Sequence, residues 1–521
     1  MNARNRGCSS VFTDGSTWSR NRTHFVRSVL SLSMCLGAFS GCSSDGSPSE
    51  PATGGNHTGI SGAAAVAGST GVAGKIEAAG GTSGSAGATA VGGGATAASG
   101  APAVGGAGGA SGGSVAVAGA SVGGGAGVGS VAVENQSADC AVAALPEASA
   151  LPTIAKLPDP FKKLDGTRVS SKADWRCRRQ EIRAQAEKYI FGAKPTPEVV
   201  TGTVSNTSIA VHVEAKGKSI DFSAAIVLPS KGQAPFPALI NVGTKGSLTL
   251  GESRILDQGV AVIYYNNYDL GKEGTAEQSR GKPNPGKYYD IYGGTDPAGL
   301  LMAWAWGASR ILDVLQKSGG GIIDVSGIGV TGCSRFGKGA FAIGVFDDRI
   351  ALTIPQEPST GGDPALRIMD KLSGAERTDY NYNGLNWLSN NFAPFVFANN
   401  TSNAVKLPID THALVAMIAP RGLLVLENPH QTQMGAPAGH MATLAGLEVY
   451  KALGVEKNVS YHSSVADTAH CSYKTEYTDL IAKSISAFLK HEGDAPGQFL
   501  VGSGGSLTRS DWIDWQAPTL Q

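Results

Sequence analysis

The chain has 521 residues, with 42 Lys and Arg balanced by 42 Asp and Glu, and 72 glycines. Zero net charge without a basic stripe excludes the usual electrostatic footprint of a nucleic-acid binder. Length alone allows two or three domains, but the composition is uneven, and that unevenness sets the organisation.

At the N-terminus, Arg20, Arg22 and Arg27 precede the short apolar run from Val29 to Phe39, the pattern of an export signal. Ser40-Gly41-Cys42 looks like the end of a bacterial lipobox, with Cys42 as the lipidated residue. Phe39 is unusual at the third position before that cysteine, which leaves full secretion open beside membrane attachment through a lipid anchor. Residues 1–42 are thus expected to be an export signal, of lipoprotein type. Residues 43–138 are almost entirely Gly, Ala, Ser, Val and Thr, with few charges and no aromatic side chain. Such a segment cannot bury enough apolar surface to offset its ordering entropy, so it reads as a disordered tether. Its runs lack a strict G-X-Y period, which argues against collagen. The folded region is expected over residues 139–493, roughly 350 residues, a size ordinary for one α/β enzyme domain. No apolar run within it is long enough to span a bilayer. Residues 494–521 form a tail with two exposed-looking tryptophans, Trp512 and Trp515, and no assigned role.

Three of the seven cysteines, Cys8, Cys35 and Cys42, lie in the signal region. The other four, Cys140, Cys177, Cys333 and Cys471, are an even set in an oxidising compartment and allow three connectivities. No CxxC pair or His/Cys cluster has metal spacing, so disulfides are expected and no metal site or cofactor.

Taken in chain order, a turn at Asp165-Gly166 is followed by a charged amphipathic helix that starts near Ala173-Asp174-Trp175 and runs through Arg183 and Tyr189. From Ile209 to Leu228 apolar and polar residues alternate, the period of half-buried antiparallel strands. After Pro235 the strands become continuous apolar runs: Ala238–Val242, Val260–Tyr265, Gly327–Thr331, Ala351–Ile354, Gly422–Leu426 and Val459–Tyr461. Runs of this kind are typical of parallel strands buried on both faces. With a long helix over Leu300–Leu315 among them, the pattern predicts a mostly parallel sheet between helical layers, led by an antiparallel hairpin: the α/β-hydrolase fold.

That fold places a nucleophile on a tight turn between a buried strand and a helix. Gly332-Cys333-Ser334-Arg335-Phe336-Gly337 sits at such a junction, with Ser334 as the candidate nucleophile. The usual glycine two after the serine is here Phe336, and the glycine comes one later. A serine nucleophile needs a base and an orienting acid, in chain order Ser, acid, His. His470, in the polar loop after the strand at Val459–Tyr461, suits the base. Glu357 follows one strand and Glu427 ends another, and either is in a position to serve as the acid.

At this point the chain resembles a known family, the glucuronoyl esterases of carbohydrate esterase family 15. The resemblance runs from Cys140 to about Leu489. It is carried by Lys156–Phe161, Lys172–Arg179, Tyr289–Gly293, Ala303–Gly307, Val330–Ala340, Pro355-Gln356-Glu357 and Ala419–Leu423. It implies Ser334 as nucleophile, His470 as base and Glu357, as in fungal members, as acid, with Glu427 in reserve because some bacterial members place an acid near there. Arg335 would stabilise the oxyanion together with backbone N–H groups. Lys338, one helical turn beyond Ser334 and so on the same side, would bind hydroxyls of the glucuronoyl sugar. Family members carrying both Cys333 and Cys471 are bridged there, which leaves Cys140 with Cys177. The chain departs from the family after Glu427, where Asn428-Pro429-His430-Gln431 stands in place of an expected tryptophan. It also departs at Lys371–Leu385, which is shorter than in fungal members, with Gly384 in place of a glutamate expected shortly before Trp387.

The resemblance implies a serine esterase acting on esters between 4-O-methyl-D-glucuronic acid of glucuronoxylan and lignin alcohols. The alternatives are another carbohydrate esterase, such as one for acetylated xylan, and a non-catalytic surface carbohydrate-binding protein on the same scaffold. The sequence leaves the oligomeric state open.

Overall fold

A computed structural model describes residues 132–273, 284–294, 298–383 and 385–521. The expected export signal, Cys42 and nearly all of the expected tether lie outside the described residues, as does Gly384.

Among the described residues, ten strands form one sheet: β1 (Val199–Val204), β2 (Ser208–Ala215), β3 (Lys218–Val227), β4 (Phe236–Val242), β5 (Ala261–Tyr265), β6 (Ile323–Cys333), β7 (Leu352–Gln356), β8 (Gly422–Leu426), β9 (Val459–His462) and β10 (Phe499–Leu500). Their spatial order is β1-β2-β3-β5-β4-β6-β7-β8-β9-β10. β1, β2 and β3 form an antiparallel meander that joins β5 antiparallel. From β5 onward every pairing is parallel. The change in sequence texture at Pro235 marks this change of pairing. On β2, Ile209, Val211 and Val213 are buried while Ala210 and Glu214 face out, as the alternation requires. On β5 and β8 every residue is buried.

The longer helices are α1 (Lys172–Ala186), α2 (Leu300–Lys317), α3 (Arg335–Phe346), α4 (Thr411–Ile418), α5 (Ala436–Ala452) and α6 (Thr478–Leu489). α1 opens with a capping box: Ser171 accepts from the Asp174 N–H while Asp174 accepts from the Ser171 N–H. The core divides on the two faces of the sheet. One cluster packs Trp304, Phe341, Leu414 and Met441, from α2, α3, α4 and α5, against Ile240, Ile263 and Val330. The other packs Leu480, Ile481 and Ile485 of α6 on Leu239, Val262, Ile354 and Leu424.

Two expected boundaries are corrected. The domain begins before residue 139, because Glu134 inserts among cations, 2.7 Å from Lys194 Nζ and 2.5 Å from Arg310 Nη2. Burial works to raise its pKa, but Lys194 and Arg310 prevail and bring it to about 2. A single glutamate at the end of a small-residue run has no periodicity to announce it. The tail after residue 493 is also part of the domain. Phe499–Leu500 adds a strand beside β9. Trp515, read as exposed, is buried: its ring stacks on His412 and its indole N–H donates to the Leu157 carbonyl at 2.9 Å. The Trp512 carbonyl accepts from the Leu157 N–H, and the Lys371 ammonium lies 4.8 Å from the Trp512 ring. The partners of Trp512 and Trp515 are more than 100 residues distant in the chain, out of reach of any local pattern.

Candidate active site

The site follows from strand register. Cys333 of β6 pairs with Gln356 of β7, Gln356 with Leu426 of β8, and Leu426 with His462 of β9. The next residues, Ser334, Glu357, Glu427 and Ser463, therefore stand in a row past the carboxyl ends of four adjacent parallel strands, about 4.8 Å apart per step. This is where open α/β sheets bind ligands.

Ser334 has φ 57° and ψ −125°. Its N–H donates to the Gln356 carbonyl, and its own carbonyl accepts from the Lys338 N–H as α3 begins. A Cβ on Gly332 would come within 2.4 Å of the Phe336 carbonyl oxygen, and one on Gly337 within 2.7 Å of that of Gln356. The displaced glycine of the motif is thus explained. The third residue after the serine, rather than the second, meets the neighbouring strand end, while Phe336 at the second packs its ring against Tyr268 and Trp304.

His470 reaches back from the loop after β9. A disulfide joins Cys333 to Cys471, with Cα atoms 5.7 Å apart, so the residues beside Ser334 and His470 are stapled together. Cys140 and Cys177 form the second bridge. Glu357 Oε2 lies 2.6 Å from His470 Nδ1 and also accepts from the Cys471 N–H at 3.2 Å. Glu357 is buried, whereas the imidazole keeps 30% of its surface open. Ser334, Glu357 and Cys471 all sit at positive φ, three non-glycine residues in a sparsely populated region at one place.

Glu427, the reserve acid, is turned elsewhere. A Cβ on Gly439 would lie 3.0 Å from Glu427 Oε1 and 2.8 Å from Asp363 Oδ2, so the two buried carboxyl groups share one small space. Burial pushes Asp363 up to about 7. Burial, then the charges of Asp363 and Glu357, raise Glu427 well above the ordinary carboxylate range. Glu427, raised that far, keeps its proton at neutral pH, and a protonated Glu427 makes a poor orienting anion.

On the other side of Ser334, the Arg335 guanidinium is half exposed and donates from Nη1 to Glu273 Oε1 at 2.5 Å. Burial disfavours its charge, but Glu273 and Tyr268 hold its pKa above the ordinary arginine value. Lys338 is buried, donating to the Thr360 carbonyl at 2.8 Å and to Glu376 Oε1 at 3.0 Å, with its ammonium 4.7 Å from the Trp387 ring centre. Burial lowers its pKa, against the pull of Glu376. An ammonium has three donors, and these hydrogen bonds use two. Glu376, Arg377, Tyr380 and Gln433 line an adjoining cavity of about 670 Å³.

Sequence reading missed Glu273, Tyr268, Glu376 and Asp363, none of which lies in a recognisable motif. The segment that stands where a tryptophan was expected braces the histidine loop instead. Asn428 Nδ2 donates to the carbonyls of Asp467 and Ala469, and Gln431 Nε2 to that of Thr468. His430 Nε2 lies 3.0 Å from the Val465 carbonyl. Among the described residues, Cys333, His470 and Cys471 are the one cluster with metal-ligand proximity. Its sulfurs are joined in the disulfide, so no thiolate is offered to a metal.

Comparison with known proteins adds four findings. A family model described as glucuronyl esterase, fungi, matches residues 211–454. A 4-O-methyl-glucuronoyl methylesterase from Thermothelomyces thermophilus is 39% identical over 380 residues, covering 71% of this chain and 90% of its own. Among solved structures, the glucuronoyl esterase catalytic domain from Hypocrea jecorina superposes with a TM-score of 0.65 at 36% identity, over 72% of this chain and 100% of that one. A serine-to-alanine mutant of the Sporotrichum thermophile glucuronoyl esterase, in complex with methyl 4-O-methyl-β-D-glucopyranuronate, gives a TM-score of 0.64 at 37% identity, over 71% and 97% of the two chains.

Proposed function

The chain belongs to the glucuronoyl esterases, carbohydrate esterase family 15, and from that premise we propose that it cleaves esters of 4-O-methyl-D-glucuronic acid on glucuronoxylan through a Ser334-bound glucuronoyl intermediate, with lignin alcohols as the leaving groups. The observation that carries this reading is His470 held by Glu357 on Nδ1 and stapled through Cys471 to the turn of Ser334.

In the first half-reaction Ser334 Oγ attacks the ester carbonyl carbon and passes its proton to His470 Nε2. Glu357, accepting from Nδ1–H, fixes the tautomer and offsets the imidazolium charge. The carbonyl oxygen becomes an oxyanion beside the start of α3, where first-turn N–H groups lack helical partners. Arg335 supplies a cation at the same corner, acting on charge that exists only in the transition state. Collapse breaks the bond to the alcohol, which leaves with the proton from His470. Water then repeats the sequence: His470 takes its proton, hydroxide adds to the acyl carbon, and Ser334 Oγ departs reprotonated. Lys338 is assigned to the sugar, its remaining N–H and the carboxylate of Glu376 offering a donor and an acceptor to hydroxyl groups. The adjoining cavity is of a volume suited to a small polar ligand.

The enzyme is read as exported, and two disulfides suit an oxidising compartment. Residues 1–42 as the signal and Cys42 as a lipid acceptor extend this reading. Loss of membrane association on Cys42→Ala, followed by cell fractionation, tests it.

Alcohol release from benzyl glucuronate and acetate release from acetylated xylan, measured for the wild type and Ser334→Ala, test the chemistry. Glucuronate cleavage lost in the variant is the expected result. Equal low turnover in both proteins would sink the esterase reading, and fast acetate release without glucuronate cleavage would move the substrate to another carbohydrate ester.

A further inference from the structure

Glu273 lies eight residues past β5, and its side chain is only 2% exposed. Both of its oxygens are engaged. Oε1 accepts from Arg335 Nη1 at 2.5 Å and from the Tyr268 hydroxyl at 2.6 Å, and Oε2 accepts from the Trp387 indole N–H. Burial, then Glu273 itself, pushes the Tyr268 phenol up to about 12, which keeps it a donor at neutral pH. One inaccessible carboxylate thus joins two things that the reaction needs together: the cation next to Ser334 and the indole against which the Lys338 ammonium rests.

Burying a carboxylate is costly unless donors surround it, and here three do. The arrangement also counters a specific weakness. The Arg335 side chain is 46% exposed, and a long arginine side chain left free samples many rotamers. A cation that wanders stabilises an oxyanion poorly, because the advantage of such a group is that it need not reorganise when charge appears. Negative charge on Glu273 subtracts from the field of Arg335, so the contact is useful to catalysis only if fixing the guanidinium outweighs partly neutralising it.

We propose that Glu273 is a positioning residue that fixes the Arg335 guanidinium for the oxyanion and the Trp387 indole for the sugar site, so that a single carboxylate sets the distance between the two. The proposal rests on the reading of Arg335 as the oxyanion cation.

The test is a double-mutant cycle on benzyl glucuronate hydrolysis, with thermal melting recorded for each protein. Glu273→Gln keeps the size but presents an amide to one of the three donors. It is expected to lower kcat by roughly 10- to 100-fold, less than the ~10²- to 10³-fold that outright removal of an oxyanion donor costs, and to raise KM only a few-fold. In an Arg335→Ala background the same change is expected to cost less than about threefold in kcat, because the group it positions is gone. A purely structural role predicts the same fold-loss in both backgrounds, and that result would overturn the proposal. So would Glu273→Gln with kcat within twofold of wild type while Arg335→Ala is impaired. If Arg335→Ala itself keeps wild-type kcat, the oxyanion reading fails first and this inference falls with it. Should Glu273→Gln not fold, Tyr268→Phe removes one donor from Oε1 at the edge of the cluster. Its expected several-fold loss in kcat should vanish in the Arg335→Ala background, and persistence there counts against the proposal.

Discussion

The two sides of the Ser334 turn are held by different means. On the histidine side the chain is fixed covalently by Cys333–Cys471, and the loop is braced by bonds from Asn428 and Gln431 to its backbone carbonyls. On the arginine side nothing is covalent, and one buried carboxylate gathers Arg335, Tyr268 and Trp387. The difference matches what each side must do. In the proposed reaction His470 shuttles a proton within hydrogen-bond reach and stays on a half-open loop, so a staple that limits loop travel serves it. As the proposed oxyanion cation, Arg335 must present charge from a fixed direction, and an oriented carboxylate does that where a staple would not. Reductants should therefore reach the first side, and loss of a single charge the second.

The largest effect is expected from the acid of the histidine side. Glu357→Ala should lower kcat by about 10⁴-fold, the size of the loss when an orienting acid is removed from such a triad. Glu427→Gln should leave kcat within about tenfold, since Glu427 faces Asp363 and not the imidazole. Steady-state kinetics on one glucuronate ester decides between them, and the reverse ranking would transfer the role to Glu427.

Next in size is the staple. The disulfide closes a sequence separation of 138 residues, and replacing Cys333 and Cys471 by serine should cost about 2–4 kcal/mol, measured by denaturant unfolding. The fold-effect of Glu273→Gln on kcat should be unchanged in that background, because the arginine side does not hang on the staple. Coupling between the two would show that the sides are one unit.

A third probe is pH. Burial raises the Asp363 carboxyl to about 7 in the folded protein, from 3.8. The native state then keeps a proton that the unfolded chain has released, so stability is lost as pH rises from about 4 to about 7, and the loss is complete above that. Asp363→Asn removes this titration. The melting temperature of the variant minus that of the wild type should climb across the same window and level off above it. A difference that does not change with pH would mean that Asp363 is not held protonated there.

These elements differ in how legible they were in the sequence. The buried strands, the Gly332–Gly337 turn and the chain order Ser334, Glu357, His470 are local or ordinal signals, readable from apolar runs and glycine spacing. The choice between Glu357 and Glu427 was open because both end buried strands. Only the register of β7 and β8, and the direction from which the histidine loop returns, separates them. Glu273 was invisible for a related reason: its partners lie 5, 62 and 114 residues away, and nothing in Gly271-Lys272-Glu273 announces a carboxylate that will be buried. The same holds for Glu134 and Trp515, whose neighbours in sequence say nothing of the distant groups that enclose them.

The smallest effect concerns the residues that stand in place of the expected tryptophan. Asn428→Ala and Gln431→Ala each remove side-chain bonds to loop carbonyls, worth about 1 kcal/mol per bond. In the wild-type background each should lower kcat by less than about threefold, since Glu357 and the staple still hold His470. With Cys333 and Cys471 replaced by serine, the bracing bonds become the main restraint on loop travel, and the same substitutions should cost several-fold more. Bracing and staple act on the same few residues, so their effects on kcat should be more than additive, whereas either one combined with Glu273→Gln should multiply independently. Simple multiplication in both crosses would mean that Asn428 and Gln431 do not restrain the histidine loop, and would return this segment to the substrate side of the site.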